Sequence, residues 1–284
     1  MTLRKLPEPR ALARPACYQA DPPSDLFAEW AAHPLAAEAD DPATLSIYDV
    51  IGADMFGDGV TAKRVAGVLR RVGAEPVTVN INSPGGDMFE GIAIYNLLRQ
   101  HPAAVTVNIL GIAASAASVI AMAGDEIAVG TGALIMIHNA WGAVVGNRHD
   151  MTEAAAVFAE FDAALADIYT ARTGVRRGEI EKMLDAETFM RGAEAVQIGF
   201  ADRVDGALAP DPAPANDSRG RAIHARRRAE GALAKAGVTR SDRAGLIDDL
   251  LSTGIARDAD PEPAARDAGI SETAVRQLID ILKS

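Results

Sequence analysis

"PGGDMFEGIAIYNLLRQHPAAVTVNILGIAASAAS", residues 84–118, joins two glycine-rich turns through a helical run and a β-rich run. The pentapeptide "VTVNI" occurs at 105–109 and also at 77–81, each time before a Gly-containing turn and an apolar stretch of helical character. Two strand–turn–helix units in series predict parallel strands with helices on a face, an α/β layout. In such sheets functional groups gather beyond the carboxyl ends of the strands, and both Gly turns lie there. Ser115 stands in the second turn among Gly111 and several alanines. Small residues pack poorly, but they let another molecule come close to the backbone and the hydroxyl.

Outward from this stretch, "LSIYDVI" (45–51) reads as a strand and "GVTAKRVAGVLRRVG" (59–73) as an amphipathic helix closed by Gly73. "PVTVNIN" (76–82) alternates apolar and polar residues at strand period, and Asp87 falls in the first turn of the next helix, where a negative charge suits the macrodipole. Two short strands, "EIAVG" (126–130) and "LIMIH" (134–138), lead to His138. A long helix is expected from Asp150 to about Arg172, with Asp150 and Glu153 at capping-box spacing and "TG" as its stop. A compact segment, 179–204, closes the core.

The flanks differ in composition. Residues 1–44, rich in Pro, Ala and Asp, are expected to form a loose arm with a short helix near 26–32. Residues 45–208 form the core domain, and 209–218, "APDPAPANDS", read as a linker. Residues 219–284 form a partly helical charged tail: 219–243 hold eight basic side chains against two acidic ones, 246–262 are mostly acidic, and Ser271 caps a terminal helix. Adjacent blocks of opposite charge suit docking to a partner.

Among 284 residues, 49% are hydrophobic, enough for a sizeable core. Cys17 is the only cysteine, so neither an intramolecular disulfide nor a cysteine metal cluster is expected, in keeping with a reducing cytoplasm. A net charge of −11 argues against general nucleic-acid binding. No apolar run is long enough to span a membrane, and the first residues carry prolines and acids where an export signal has an apolar core. No spacing implies a metal or an organic cofactor.

A serine hydroxyl becomes a nucleophile when a base lies within hydrogen-bond reach and an acid orients that base. Its tetrahedral intermediate needs N–H donors aimed at the oxyanion. Ser115 and His138 supply the first pair of residue types, the helix start after Ser115 offers the Ala116 N–H, and "SPGG" frees a second N–H, that of Gly86. Each piece alone also has a structural reading: a glycine–alanine turn, a common PGG turn and a core histidine. Ser118 is expected to pack or cap, Ser83 to make a local turn bond, and His101 and His149 to lie on the surface.

The order and spacing of these pieces resemble the ClpP-type serine peptidases. "INSPGGDMFEGIAIYNLL" (81–98) is similar to the family's strand, oxyanion turn and helix, "GIAASAASVIAMAG" (111–124) to its nucleophile turn, and "ALIMIHNAWG" (133–142) to its histidine strand. "DAETFMRGAEAVQIGFADRV" (185–204) resembles its closing segment, and Gly86 and Ser115 stand 29 positions apart (115 − 86), the family's interval. The resemblance implies a ClpP/crotonase-like superhelix of strand–turn–helix units, with a "handle" helix at 150–172. It implies Ser115 as nucleophile, His138 as general base, and Gly86 and Ala116 as oxyanion donors. Glu187 stands where the family has an aspartate, with Asp185 and then Asp202 as competitors. Lys63 is the one lysine placed for a Ser–Lys alternative, which His138 makes unnecessary.

Within the family, 57–69, the SPGG helix, the glutamate of "AETF" and the foreign tail look like the ClpP-related head maturation proteases of tailed phages and prophages. That implies a serine endopeptidase trimming scaffold and capsid proteins in the host cytoplasm, inside a procapsid, as a ring-shaped homo-oligomer. The alternatives are an ATP-dependent Clp proteolytic subunit working with an unfoldase, an inactive structural homologue, and a crotonase-type acyl-CoA enzyme.

Overall fold

The two VTVNI copies lie side by side. In the computed structural model of the chain, Val77 stands opposite Val105 and Ile81 opposite Ile109, with the strands parallel. The structure describes residues 6–7, 18–19, 27, 30–31, 41–53, 59–208 and 218–252. It divides into two units, residues 1–22 with 38–210 and residues 23–37 with 211–284.

In the first unit the strands are β1 (Tyr18–Gln19), β2 (Thr44–Ile47), β3 (Val77–Ser83), β4 (Val105–Ala114), β5 (Glu126–Gly130), β6 (Leu134–Ile137), β7 (Ala143–Val144), β8 (Thr188–Arg191) and β9 (Arg203–Asp205). Its helices are α1 (Ala62–Val72), α2 (Met88–Arg99), α3 (Ala116–Ala121), α4 (Arg148–Thr173), α5 (Arg177–Asp185) and α6 (Gly192–Ile198). Strands β2-β3-β4-β5-β9 form a parallel sheet in that order. Ten-residue β4 serves two neighbours: its first half pairs with β5 and its second half with β6, also parallel. Strand β8 then adds antiparallel to β6.

Alternation decides which face of this sheet is covered. Val77, Val79, Ile81, Val105, Val107 and Ile109 are buried in the core. Thr78, Asn80, Thr106 and Asn108 stand half-buried on the other face, where Asn108 Nδ2 donates to Asn80 Oδ1 at 3.0 Å. Parallel sheets normally bury both faces. Here the polar rows are in register, which brings Asn80 and Asn108 side by side.

Capping sets the helix boundaries. Thr61 caps α1 by accepting the Arg64 N–H at 3.2 Å, and Gly73, at φ 71°, ends it. Asp87, expected inside the first turn of α2, is instead its cap, accepting from Phe89 N at 2.9 Å. Helix α4 begins earlier than expected, and its capping box is Asn147 with Asp150. Asn147 Oδ1 takes the His149 N–H at 2.8 Å, and Asp150 reaches back to the Asn147 N–H at 2.7 Å. An amide oxygen three residues before a carboxylate meets both halves of the box, so Glu153 has no part in it. Gly174, left-handed at φ 74°, stops the helix as expected.

His101 corrects the surface reading given to it. It is 6% exposed, and its Nε2 lies 2.8 Å from the Glu75 carbonyl oxygen, a contact that satisfies the ring inside the protein. The described parts of the N-terminal segment are held by specific contacts. Pro7 O accepts the buried Tyr95 hydroxyl at 3.0 Å, and β1 pairs antiparallel with β7.

The second unit is helical, with α7 (Ser218–Lys235) and α8 (Arg240–Ser252). Gly237 N donates to Ala234 O and Val238 N to Leu233 O, the two bonds of a Schellman turn, with Gly237 at φ 82°. Ala229, Leu233, Ala234 and Ile247 are buried in this unit, as are Phe27, Trp30 and Ala31. The Arg227 guanidinium lies 4.6 Å over the Trp30 ring. Of the linker reading, 209–218, Ser218 instead opens α7, and 209–217 lie outside the described residues, as does the Ser271 cap.

One buried ion pair ties the end of α4 to the sheet. The Arg172 side chain is fully buried, bonds Asp202 Oδ2, and donates to Gly124 O at 3.2 Å. Asp202 Oδ2 also accepts the Ile127 N–H at 2.7 Å. Removing one partner strands a buried charge, so Asp202→Ala is expected to lower stability by ~3 kcal/mol in urea unfolding.

Candidate active site

Strand β4 ends at Ala114, and Ser115 turns the chain into α3 at φ 53° and ψ −125°. Only two non-glycine residues take a positive φ among those described, Ser115 and Glu187. Such a conformation costs on the order of 1–3 kcal/mol and persists only where its surroundings impose it. The Ser115 N–H is held by Met136 O at 2.9 Å, and the Ser115 carbonyl accepts the Ser118 hydroxyl at 2.6 Å. Ser118 thus caps the turn, as expected. Its single proton is spent on Ser115 O, so the 2.8 Å contact with Tyr169 must be donated by the phenol. Burial pushes the Tyr169 phenol up, which keeps it a donor.

Register brings the histidine to the serine. In the parallel pair, Ala114 stands opposite Met136, so β4 and β6 end together with Ser115 and His138 just past their ends. His138 Nε2 lies 2.7 Å from Ser115 Oγ, and both residues are buried. The antiparallel pair sets Ile137 opposite Thr188, so one step further in the same register puts Glu187 across from His138.

The three acids separate clearly. Asp202 is engaged by Arg172, and Asp185 Oδ1 accepts Asn139 Nδ2 at 2.8 Å. Glu187 is exposed and, among the described residues, makes no hydrogen bond to the imidazole. Its charge nevertheless raises the proton affinity of His138, opposing the larger effect of burial, which holds the imidazole below its usual pKa.

The glycine turn faces the serine turn at the closest distance the backbone permits. A Cβ on Gly85, at φ 91°, would sit 2.6 Å from Ala114 O and 2.7 Å from Ser115 Cβ. Gly86, at φ 144°, lies against Ile51, where Ile51 N donates to Gly85 O and Asp87 N donates to Ile51 O. That parallel bridge uses the groups on either side of Gly86 and turns its own N–H the other way. The Ala116 N–H stands at the first position of α3, where no intrahelical acceptor exists. Neither amide has a hydrogen-bond partner among the described residues.

The remaining readings are soon placed. Ser83 Oγ accepts the Gly85 N–H at 3.3 Å, the local turn bond expected, and donates to Asp49 O at 2.5 Å. His149 is exposed, and Lys63 lines a cleft of about 610 Å³ between β2 and α1. Among the described residues, no cluster of His, Cys, Asp and Glu is placed to hold a metal ion, and no helix is long and apolar enough to cross a membrane. Tyr169 and Asp162 were missed as site neighbours. A phenol and a carboxylate on the stripe of Phe161 and Leu165 were the available signal.

Comparison with known proteins follows the same segment. The family model for Clp protease matches residues 65–206. The chain belongs to the Clp protease family. The ATP-dependent Clp protease proteolytic subunit 1 of Chlamydia muridarum is 30% identical over 161 residues, covering 52% of this chain and 83% of that protein. Its counterpart from Chlamydia trachomatis serovar D is 29% identical over the same span. A ClpP1 mutant structure from Listeria monocytogenes superposes with a TM-score of 0.50 at 23% identity, covering 58% of this chain and 92% of that one, which supports the Clp fold. Membership makes the chain a relative of peptidases, with the family's α/β architecture.

Three outcomes test this geometry. A base acts in its neutral form, so the lowered pKa of His138 places the acid limb of kcat/KM below pH 6.5, the usual imidazole value. Glu187→Gln removes the one raising influence on His138, so that limb is expected to move to still lower pH as the plateau rate falls. Gly85→Ala drives a methyl into the serine turn and is expected to abolish activity and cost ~2–4 kcal/mol of stability.

Proposed function

We propose that the chain is a serine endopeptidase acting through an acyl-enzyme on Ser115. The observation that carries this reading is the 2.7 Å contact between Ser115 Oγ and His138 Nε2. Ser115 Oγ attacks the scissile carbonyl carbon as its proton passes to His138 Nε2, and the N–H groups of Gly86 and Ala116 receive the oxyanion. His138 returns that proton to the leaving amine as the C–N bond breaks. Water, deprotonated by His138, then cleaves the ester and restores the Ser115 hydroxyl. Glu187 orients and stabilises the imidazolium. Its register opposite His138 and its electrostatic effect support that role.

The substrate class we infer is the scaffold and capsid proteins of a phage head, processed in the host cytoplasm by a ring of identical subunits. Supporting this is the second unit, built largely from residues 211–284, beyond the segment that matches the Clp protease model. Exposed Trp141, Val145 and Met151, clustered around β7 and the start of α4, suit burial between subunits. The second reading, a proteolytic subunit fed by an unfoldase, is favoured by the names of the curated relatives.

Intact mass of the purified protein beside its Ser115→Ala variant tests the function. Loss of the segment beyond about residue 209 in the wild type alone is the expected result. Activity is expected to fall at least ~1000-fold in Ser115→Ala. Cleavage undiminished in Ser115→Ala would remove the assignment of the nucleophile. Hydrolysis of folded proteins seen only with an added unfoldase and ATP would favour the second reading.

A further inference from the structure

We propose that Asp162, on α4, and Asp185, at the end of α5, clamp the turn that carries His138, with Asp162 as a positioning residue for the general base. The inference rests on the reading of Ser115 and His138 given above. The Ala140 N–H donates to Asp162 Oδ1 at 2.6 Å, and Asn139 Nδ2 donates to Asp185 Oδ1 at 2.8 Å. The two residues that follow the base are therefore each held by a carboxylate, from two different helices.

The turn needs such holding because the sheet stops short of it. Strand β6 last pairs with β4 at Met136 and with β8 at Ile137, so the ladder ends before His138. The direction of the imidazole then depends on where the next residues are anchored. Asp162 is well placed as an anchor. Its neighbour Phe161 is buried and packs edge-on against Phe89 of α2, ring centroids 4.8 Å apart. Helix α2 begins directly after the Gly85–Gly86 turn, so one pair of adjacent residues on α4 refers both the base and the oxyanion turn to the same helix.

The electrostatics give the bond from Ala140 a compensating role. Burial and the charge of Asp185 both push the Asp162 carboxyl up, and the Ala140 N–H works against them. A half-buried acid beside a second acid is unfavourable unless a bond to a donor compensates it. Asp185, weighed above as a rival to Glu187 for the imidazole, has its own partner in Asn139, which leaves the place opposite His138 to Glu187.

The test is the rate at which a rhodamine-linked fluorophosphonate labels Ser115, a reaction that needs His138 but no knowledge of the natural substrate. Asp162→Ala is expected to slow labelling at least ~30-fold, since small misplacement of a reacting group costs rate steeply. Asp162→Asn keeps an oxygen that can accept the Ala140 N–H and is expected to label within ~3-fold of wild type. Wild-type labelling by Asp162→Ala, or equal loss in the Ala and Asn variants, overturns the clamp. Should Asp162→Ala fail to fold, Asn139→Ala removes the other half, and a labelling rate unchanged there also overturns it. A wild type that is not labelled, or is labelled no faster than Ser115→Ala, overturns the nucleophile assignment and the clamp with it. A wild type labelled normally beside an undiminished Asp162→Ala overturns the clamp alone.

Discussion

A backbone bent against its own preference at Ser115 is the constraint on which the rest of the structure depends. An L-residue at φ 53° holds only if its neighbours leave no other choice. Met136 O takes the N–H, Ser118 takes the carbonyl, and Gly85 closes the remaining side so tightly that no β-carbon fits. The sheet edge, helix α3 and the glycine turn thus meet at one residue. Its hydroxyl is delivered beside the one histidine that the sheet register can reach.

Helix α4 keeps these segments in step. Phe161 packs on the helix behind the glycine turn, Asp162 holds the turn behind His138, and Tyr169 donates to the helix behind Ser115. Arg172 fastens the end of α4 to the Gly124 carbonyl and to Asp202. Contacts spread along one rigid rod restrain relative shifts among the segments that carry Ser115, His138 and the glycine turn, which the proposed proton transfer requires because it falls off sharply with misalignment. The charge balance at His138 follows from the same packing: burial favours the neutral base, and Glu187, at the rim, favours its protonated form.

Much of this was legible in the residues. The repeated VTVNI strands, the boundaries EIAVG and LIMIH, and the Gly73 and Gly174 stops follow from alternation and capping chemistry, while the pairing of Ser115 with His138 was implied by the resemblance to the ClpP-type peptidases. Local chemistry also misled. Asp150 with Glu153 had capping spacing, but Asn147 met Asp150 first, and His101, polar and short of any motif, is buried on the Glu75 carbonyl. A single pair of helix-box residues or a lone histidine has several local solutions, and neighbours distant in the chain choose among them.

The sequence by itself determined the periodicities, the two glycine turns and the residue types that nucleophilic chemistry requires. Those depend on local sterics and side-chain pKa ranges, which travel with the residue. Tertiary structure alone decided the partners of the three acids. Asp185, Glu187 and Asp202 are chemically near-equivalent and close in sequence. Only the β6–β8 register, the reach of Asn139 and the burial of Arg172 separate them, because hydrogen bonds act over a few ångströms that only the folded backbone sets.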